Sequence, residues 1–269
     1  MFLKSYLRIK RMKPVIRQIP QIQILKKGTG WLALDKPGGM SVHNHPGNDL
    51  VSIVSKQIQS DPALSQYLGF KNASGVHPVH RLDKETGGVI LLATDPDILA
   101  FLSGQFRQNR VAKDYIALVH GRVDSCQTDP GPTDRGHGTW NVPLAKSAGG
   151  RNHPAGSGKK LACETRYRCL EASEHYSLLA IDLVTGRKHQ IRRHAKLAGH
   201  PIVGDSRYGS KRALAFLKTK RDFHGLALQC RSIRLVLPGD TAPTRIRSAS
   251  GLSRIMRLFE ADKLNQCHK

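Results

Sequence analysis

No stretch of this 269-residue chain is long or apolar enough to enter a bilayer, which excludes an α-helical membrane protein. The basic N-terminus, Met1 to Arg17, has its apolar residues interrupted by Lys or Arg every two or three positions. A secretory signal needs a continuous apolar region of about 7 to 15 residues, so none is read there. Cysteine is sparse: Cys126, Cys163, Cys169, Cys230 and Cys267 are odd in number and include no C-x-x-C pair. They are expected to be reduced thiols of a cytoplasmic protein, forming neither a disulfide framework nor a zinc site. His43-x-His45 and the set His189, His194 and His200 lack a Cys or carboxylate at ligand spacing, so no metal is expected. Internal repeats are absent as well.

Acid is in short supply. Asp and Glu number 20 against 43 Lys and Arg, giving a net charge of +23 and a pI near 10.3. Hydrophobic residues still make up 39% of the chain, enough for a core and too many for a disordered basic tail. Such a surplus of cations predicts a polyanionic partner, nucleic acid before membrane. It speaks for affinity and not for activity.

The length allows one large domain or two small ones. From Ile24 the pattern Ile24-Leu25, Gly28-Thr29-Gly30, Trp31 to Leu34 predicts a hairpin, broken by Lys36-Pro37-Gly38-Gly39. Leu50, Ile53, Val54 and Ile58 recur at helical spacing. Val89-Ile90-Leu91-Leu92-Ala93 reads as a strand buried on both faces, and Asp95-Pro96 as the start of a helix whose buried face is Ile98, Leu99, Leu102 and Phe106. Lys113 to Gly121 alternates as a strand with Tyr115, Ala117 and Val119 on one face. Residues 124–160 are rich in Gly and Pro and read as a long surface excursion, either a basic flap or a solvated loop. Three further strands are expected within 162–169, 176–184 and 226–237, and a C-terminal helix opened by Ser250.

The densest chemistry lies in Gly75 to Gly88, a charged loop running straight into the Val89 strand. A rigid strand holds such a loop in place while its side chains stay reachable. Asp83 is flanked by Arg81 and Lys84, and neighbouring cations favour a carboxylate ready to act as nucleophile or base. A surface turn with solvated ion pairs is the plainer alternative.

His80-Arg81-Leu82-Asp83-x-x-Thr86-x-Gly88 resembles the signature of the RluA-type pseudouridine synthases, H-R-L-D-x-x-T-S-G, with Gly87 where the family has Ser. Two more motifs follow in family order: Lys36-Pro37-Gly38-Gly39-Met40, and Thr185 to His194 continued by Gly199-His200-Pro201-Ile202-x-Gly204-Asp205-x-x-Tyr208-Gly209. The resemblance covers roughly residues 24 to 238. It implies an α+β fold, a mixed and largely antiparallel central sheet with flanking helices. It further implies Asp83 as the catalytic residue, Tyr115 stacking on the target base, and Arg192 pairing with Asp83. A planar guanidinium holds a carboxylate bidentately, which orients it and keeps it ionised. Arg81 would keep the nucleotide extruded and Ile191 would wall the base pocket, with His80, Lys36, Arg187, His189 and Gln190 as further RNA or substrate contacts.

The implied reaction turns uridine into pseudouridine without a cofactor, on structured RNA such as tRNA or rRNA. From residues alone, Tyr115 is as well read as a core aromatic, and the cations of 187–193 as a solvated basic helix touching phosphates. Two other functions compete: a base-releasing glycosidase using Asp83 with Glu85, and an RNA-binding protein without catalysis. Many family members carry an N-terminal S4 domain, and only a short stretch precedes Ile24. The expected organisation is thus a basic extension at 1–22, a catalytic domain at 23–245 and a C-terminal helix at 246–269, working as a monomer.

Overall fold

A computed structural model describes residues 21–71, 73–123 and 136–264. Residues 1–20 of the N-terminal extension, the first part of the excursion, Cys126 and Cys267 lie outside the described residues. The chain opens with the expected hairpin, β1 (Ile24–Gly28) and β2 (Trp31–Lys36). Two helices follow, α1 (Leu50–Gln59) and α2 (Pro62–Leu68). Asp49 caps α1 by accepting from the Ser52 amide, and Leu50, Ile53, Val54 and Ile58 form its buried face. A two-residue strand β3 (His77–Pro78) leads through the charged loop to β4 (Gly87–Ala93), in which all seven residues are buried. Asp95 then caps α3 (Pro96–Arg107) by accepting from the Asp97 and Ile98 amides, with Pro96 in the first turn. Of its predicted apolar face, Leu102 is fully buried, while Ile98, Leu99 and Phe106 are partly covered.

The remaining strands are β5 (Ala112–His120), β6 (His137–Trp140), the short β7 (Leu144–Ala145) and β8 (Lys160–Leu161), then β9 (Thr165–Ala172) and β10 (Tyr176–Leu183). After α4 (Gln190–Leu197) and α5 (Lys211–Lys220) come β11 (Leu228–Val236), β12 (Pro243–Arg247) and α6 (Leu252–Leu264). One sheet runs β1-β2-β4-β11-β5-β10-β9-β6, with β3 against β4 and β12 against β11. Every pairing is antiparallel except β4 with β11, where Gly87 and Gly88 run parallel to Gln229 and Cys230. Mixed, largely antiparallel and flanked by helices, it is the expected α+β architecture. The alternation read in β5 does not separate core from solvent, because Tyr115 through Val119 are buried on both faces. α6 packs on β5 and β10 from one side, while α4 packs on β9.

Two expectations change. Ser250 does not cap α6; its amide and hydroxyl both donate to the Asp35 carboxylate, which also receives Ser248 Oγ and the Ala249 amide. That cluster ties the segment before α6 back to β2. Cys169 is disulfide-bonded, so the expectation of five reduced thiols does not hold, although Cys163 and Cys230 are free and buried.

The described part of the excursion, 136–160, is not a loose loop. Arg193, fully buried, donates from Nε to the Pro154 carbonyl, from Nη2 to Ala155 and from Nη1 to Ala145 and Lys188. A guanidinium has five N–H groups in a fixed fork, and here they gather four carbonyls from three separate stretches of chain. The reading of Arg193 as a solvated phosphate contact gives way to this structural one. Arg193→Met should therefore lower unfolding free energy by about 3 kcal/mol and raise amide exchange across 142–156, because several carbonyls lose their donor at once. Unchanged denaturation and exchange would contradict this.

Candidate active site

The loop bearing Asp83 is held against β4 before it turns. His77 and Pro78 pair with Ala93 and Leu92, and the Val79 amide donates to the Leu91 carbonyl at 3.0 Å. The Leu91 amide returns the bond to His80 Nε2 at 3.1 Å, and the His80 ring stacks on Phe106 at 4.4 Å. Accepting at Nε2 needs a neutral imidazole. Burial first, and the nearby Lys113 charge second, push the His80 pKa down to about 3. His80 borders the cleft, but its polar edge is committed to β4, so it anchors the loop. The turn closes with the Thr86 amide donating to the Asp83 carbonyl, and β4 begins at Gly87 and Gly88. At Gly88, with φ of 112°, a Cβ would collide with the Cys230 carbonyl on β11. At Gly87, where the resembled family has Ser, the space a Cβ would need is taken by the Gln229 side chain.

Lys36 has a different place from the one expected of an RNA contact. It is 1% exposed, and its ammonium donates to the carbonyls of Met40 at 2.8 Å and of Pro37 and Lys84 at 3.1 Å each. The Gly39 amide donates to the same Lys84 carbonyl at 2.8 Å. The Lys36-Pro37-Gly38-Gly39-Met40 motif is thus a bracket under the Asp83 loop. Burial lowers the Lys36 pKa to about 8, against the opposing pull of Asp83 and Glu85.

On the other side of the site, His189 takes a left-handed conformation, φ of 52°, immediately before α4. Gln190 is buried with its whole amide engaged: Nε2 donates to the Glu164 carbonyl and Thr165 Oγ1, while Oε1 accepts from Thr185 Oγ1 and the Arg187 amide. It fixes the entry to α4 and has no polar atom left for RNA. Arg192 projects from the first turn of the helix. Its two-pronged bond goes not to Asp83, as expected, but to the buried Asp205, Nε to Oδ2 at 2.8 Å and Nη2 to Oδ1 at 2.9 Å. The free Nη1 reaches Glu85 Oε2 at 2.9 Å and Asp83 Oδ2 at 3.5 Å. Burial works against the guanidinium charge, but the Asp205 bonds outweigh it and hold the Arg192 pKa above its ordinary value. Asp205 also accepts from the Arg207 and Tyr208 amides, so its own position is fixed.

The remaining groups converge on Asp83. His189 Nε2 lies 3.7 Å from Asp83 Oδ1, and its Nδ1 is 3.0 Å from the Tyr208 hydroxyl. Burial lowers the His189 pKa, with Asp83 opposing and Arg192 adding to the fall. Tyr115 rises from β5 beside Cys230; burial first, then the Cys230 thiol and Asp83, raise its pKa well above the ordinary value. It remains a neutral phenol. Asp83, Tyr115, Ile191 and Arg192 line an inner cavity of about 100 Å³ together with His189 and Leu228. An outer cleft of about 560 Å³ shares Arg81, Asp83, Tyr115 and Arg187 with it and adds Lys113 and Lys188. Eight of the ten residues singled out from sequence therefore line the inner cavity and His80 lines the outer cleft, although the polar side-chain atoms of His80 and Gln190 are spent on the scaffold, whereas Lys36 lies beneath the loop and borders neither. Asp205 and Tyr208 are not among the candidates read from sequence, although both stand in the third motif, and Glu85 enters there only as the partner of Asp83 in the glycosidase reading. A buried carboxylate is invisible to spacing.

The fold and this site define an RNA-modifying enzyme, and comparison with known proteins agrees. The family model for RNA pseudouridylate synthase matches residues 30–197. A tRNA pseudouridine synthase C from Haemophilus ducreyi is 30% identical over 81% of this chain and 86% of its own length. A ribosomal large subunit pseudouridine synthase C from Vibrio vulnificus is 32% identical over 82% of this chain but 63% of its own length. Among solved structures, the human RNA Pseudouridylate Synthase Domain Containing 4 superposes with a TM-score of 0.64 at 24% identity, over 87% of this chain and 92% of that one. The last likeness concerns the fold alone. The chain belongs to the RNA pseudouridine synthase family, whose members are isomerases.

The Lys36 bracket makes a pH-dependent prediction. An ammonium offers three N–H donors to the three carbonyls, and a neutral amine offers two. As pH rises through about 8, Lys36 should lose its proton, one carbonyl loses its donor, and the positive charge near Asp83 and Glu85 disappears. Turnover should accordingly fall above about pH 8 in the wild type, and Lys36→Met should be slower but without that limb. An identical alkaline limb in both proteins would contradict the assignment.

Proposed function

We propose that this chain isomerises uridine in folded tRNA or rRNA to pseudouridine, with Asp83 as the attacking group. The observation that carries the reading is the meeting of the Asp83 carboxylate, the Arg192 guanidinium at 3.5 Å and the Tyr115 ring in one cavity. The target base is flipped from its stack, at a cost of a few kcal/mol, and lies on Tyr115, whose ring offsets part of that cost. Exposed Arg81 and Arg187 at the cleft mouth hold the extruded nucleotide and its phosphates. Asp83 attacks either ribose C1′ or uracil C6. The N1 glycosidic bond breaks, the retained uracil turns, C5 bonds to the same C1′, and the bond to Asp83 breaks to return its free carboxylate. The C5 proton leaves and N1 ends protonated, so the balance closes without oxidant, reductant or cofactor. Ile191 and Leu228 wall the pocket against loss of the free base. The choice of tRNA or rRNA rests on the names of the two relatives above.

A glycosidase reading would need Glu85 as a protonated acid. Burial alone would raise its pKa, but its backbone bond and the Arg192 contact outweigh burial and lower it, so Glu85 is a carboxylate near neutrality. Asp83→Asn should reduce pseudouridine formation at least about a thousandfold while RNA affinity changes by less than about twofold. Residual synthesis above a few per cent of wild type, or release of free uracil by the wild type, would overturn the proposal.

A further inference from the structure

The catalytic cleft occupies one face of the sheet, and the opposite face carries a second, unassigned cavity of about 420 Å³. Residues directly opposite each other in an antiparallel ladder share a face, and their chain neighbours take the other. Across the strands, Arg166 pairs with Asp182, Asp182 with Asp114, Asp114 with Ser232, and Ser232 with Arg247. Tyr115, next to Asp114, points to the catalytic side, so this row faces away from it. Arg168 stands one step along β9 opposite His137, and Arg234 stands opposite Arg245. With Arg231 of the β11 bulge, the uncovered part of this face presents six exposed arginines.

Most of that charge is unspent. Arg166 is paired with Glu164 and Arg245 lies 3.9 Å from Asp114. Among the described residues, Arg168, Arg231, Arg234 and Arg247 have no carboxylate partner. Asp114 is engaged by Ser232 Oγ at 2.5 Å, which leaves Asp182 as the acid open on the face. The net field is positive over a span of four interstrand spacings from Arg166 to Arg247, roughly 19 Å at about 4.8 Å each. One phosphate or one mononucleotide does not bridge that distance. An extended sugar–phosphate backbone does, and exposed guanidiniums suit its oxygens.

We propose that this arginine face is a second RNA-backbone site, which holds a part of the folded RNA remote from the target uridine. The proposal rests on the reading of the chain as an RNA-modifying enzyme and adds a role for the side of the sheet where no chemistry occurs. Its contacts are to phosphates and carry no sequence information. They raise affinity for large folded RNAs and leave the chemical step alone.

The test compares wild type with a triple variant, Arg166→Ala, Arg168→Ala and Arg247→Ala, and with the matching triple Arg→Lys protein. Total tRNA and a short stem-loop serve as probes, each titrated across a range of salt. For tRNA the alanine protein should bind at least about tenfold more weakly, with the slope of log affinity against log salt shallower by about 2. The lysine protein should keep most of both, the stem-loop should bind all three alike, and turnover at saturating RNA should be unchanged. Wild-type tRNA affinity and slope in the alanine protein would overturn the proposal. If that protein fails to fold, the single exposed change Arg247→Glu carries the same comparison. A wild type that binds with these slopes but forms no pseudouridine would sink the catalytic reading and leave this one standing.

Discussion

A single guanidinium, buried to 1% exposure, holds the site together: Arg192, gripped at two nitrogens by Asp205 and offering its third to Glu85 and Asp83. Three carboxylates around one cation are poor economy for stability, since desolvating such charges costs about what their attraction returns. Their value lies in direction. Because Asp205 is itself fixed by the Arg207 and Tyr208 amides, the free Nη1 can point only where the Asp83 loop arrives. The loop in turn is pinned by His80 on β4 and by the Lys36 ammonium beneath it. Position is therefore set from two elements that meet at the sheet centre.

The sheet explains why the site sits where it does. β4 and β11 run parallel at the one place where glycines allow close approach, Gly87 and Gly88 against Gln229 and Cys230. That contact brings the end of the Asp83 loop next to β5, so that Tyr115 and Cys230 face each other across a ladder. A substituted Gly88 would push the strands apart and move Asp83 away from Arg192. The other half of the molecule supplies α4, docked on β9 through Gln190 and His194 to Thr165 and through Arg193 to the 145–155 carbonyls.

Sequence periodicity disclosed much of this and missed a definable part. Elements with one strong pattern, such as β4, α1 and the Asp95-capped α3, were plain because the apolar spacing and the cap residues agree. The family likeness placed Asp83, Tyr115 and Arg192 together. What stayed hidden was how polar groups are spent. Lys36, His80 and Gln190 look like cations and amides available to RNA, yet each is consumed by backbone groups brought near by the fold. The same holds for Arg193 and for the partner of the Arg192 fork, since nothing in a linear chain says which of several acids a buried guanidinium will face. The arginine row is also a product of strand pairing, not of local spacing.

The central claim is that Asp205 aims Arg192 and Arg192 aims Asp83, so that a residue touching no substrate governs the chemical step. It is tested most directly by single-turnover pseudouridine formation in Asp205→Asn, which preserves shape and removes the carboxylate charge. Displacing a catalytic group by about 1 Å costs about a hundredfold in rate. The account predicts a fall of that order in a protein that still folds, if less stably, with RNA affinity little changed. A folded Asp205→Asn protein that turns over within about twofold of wild type would contradict it.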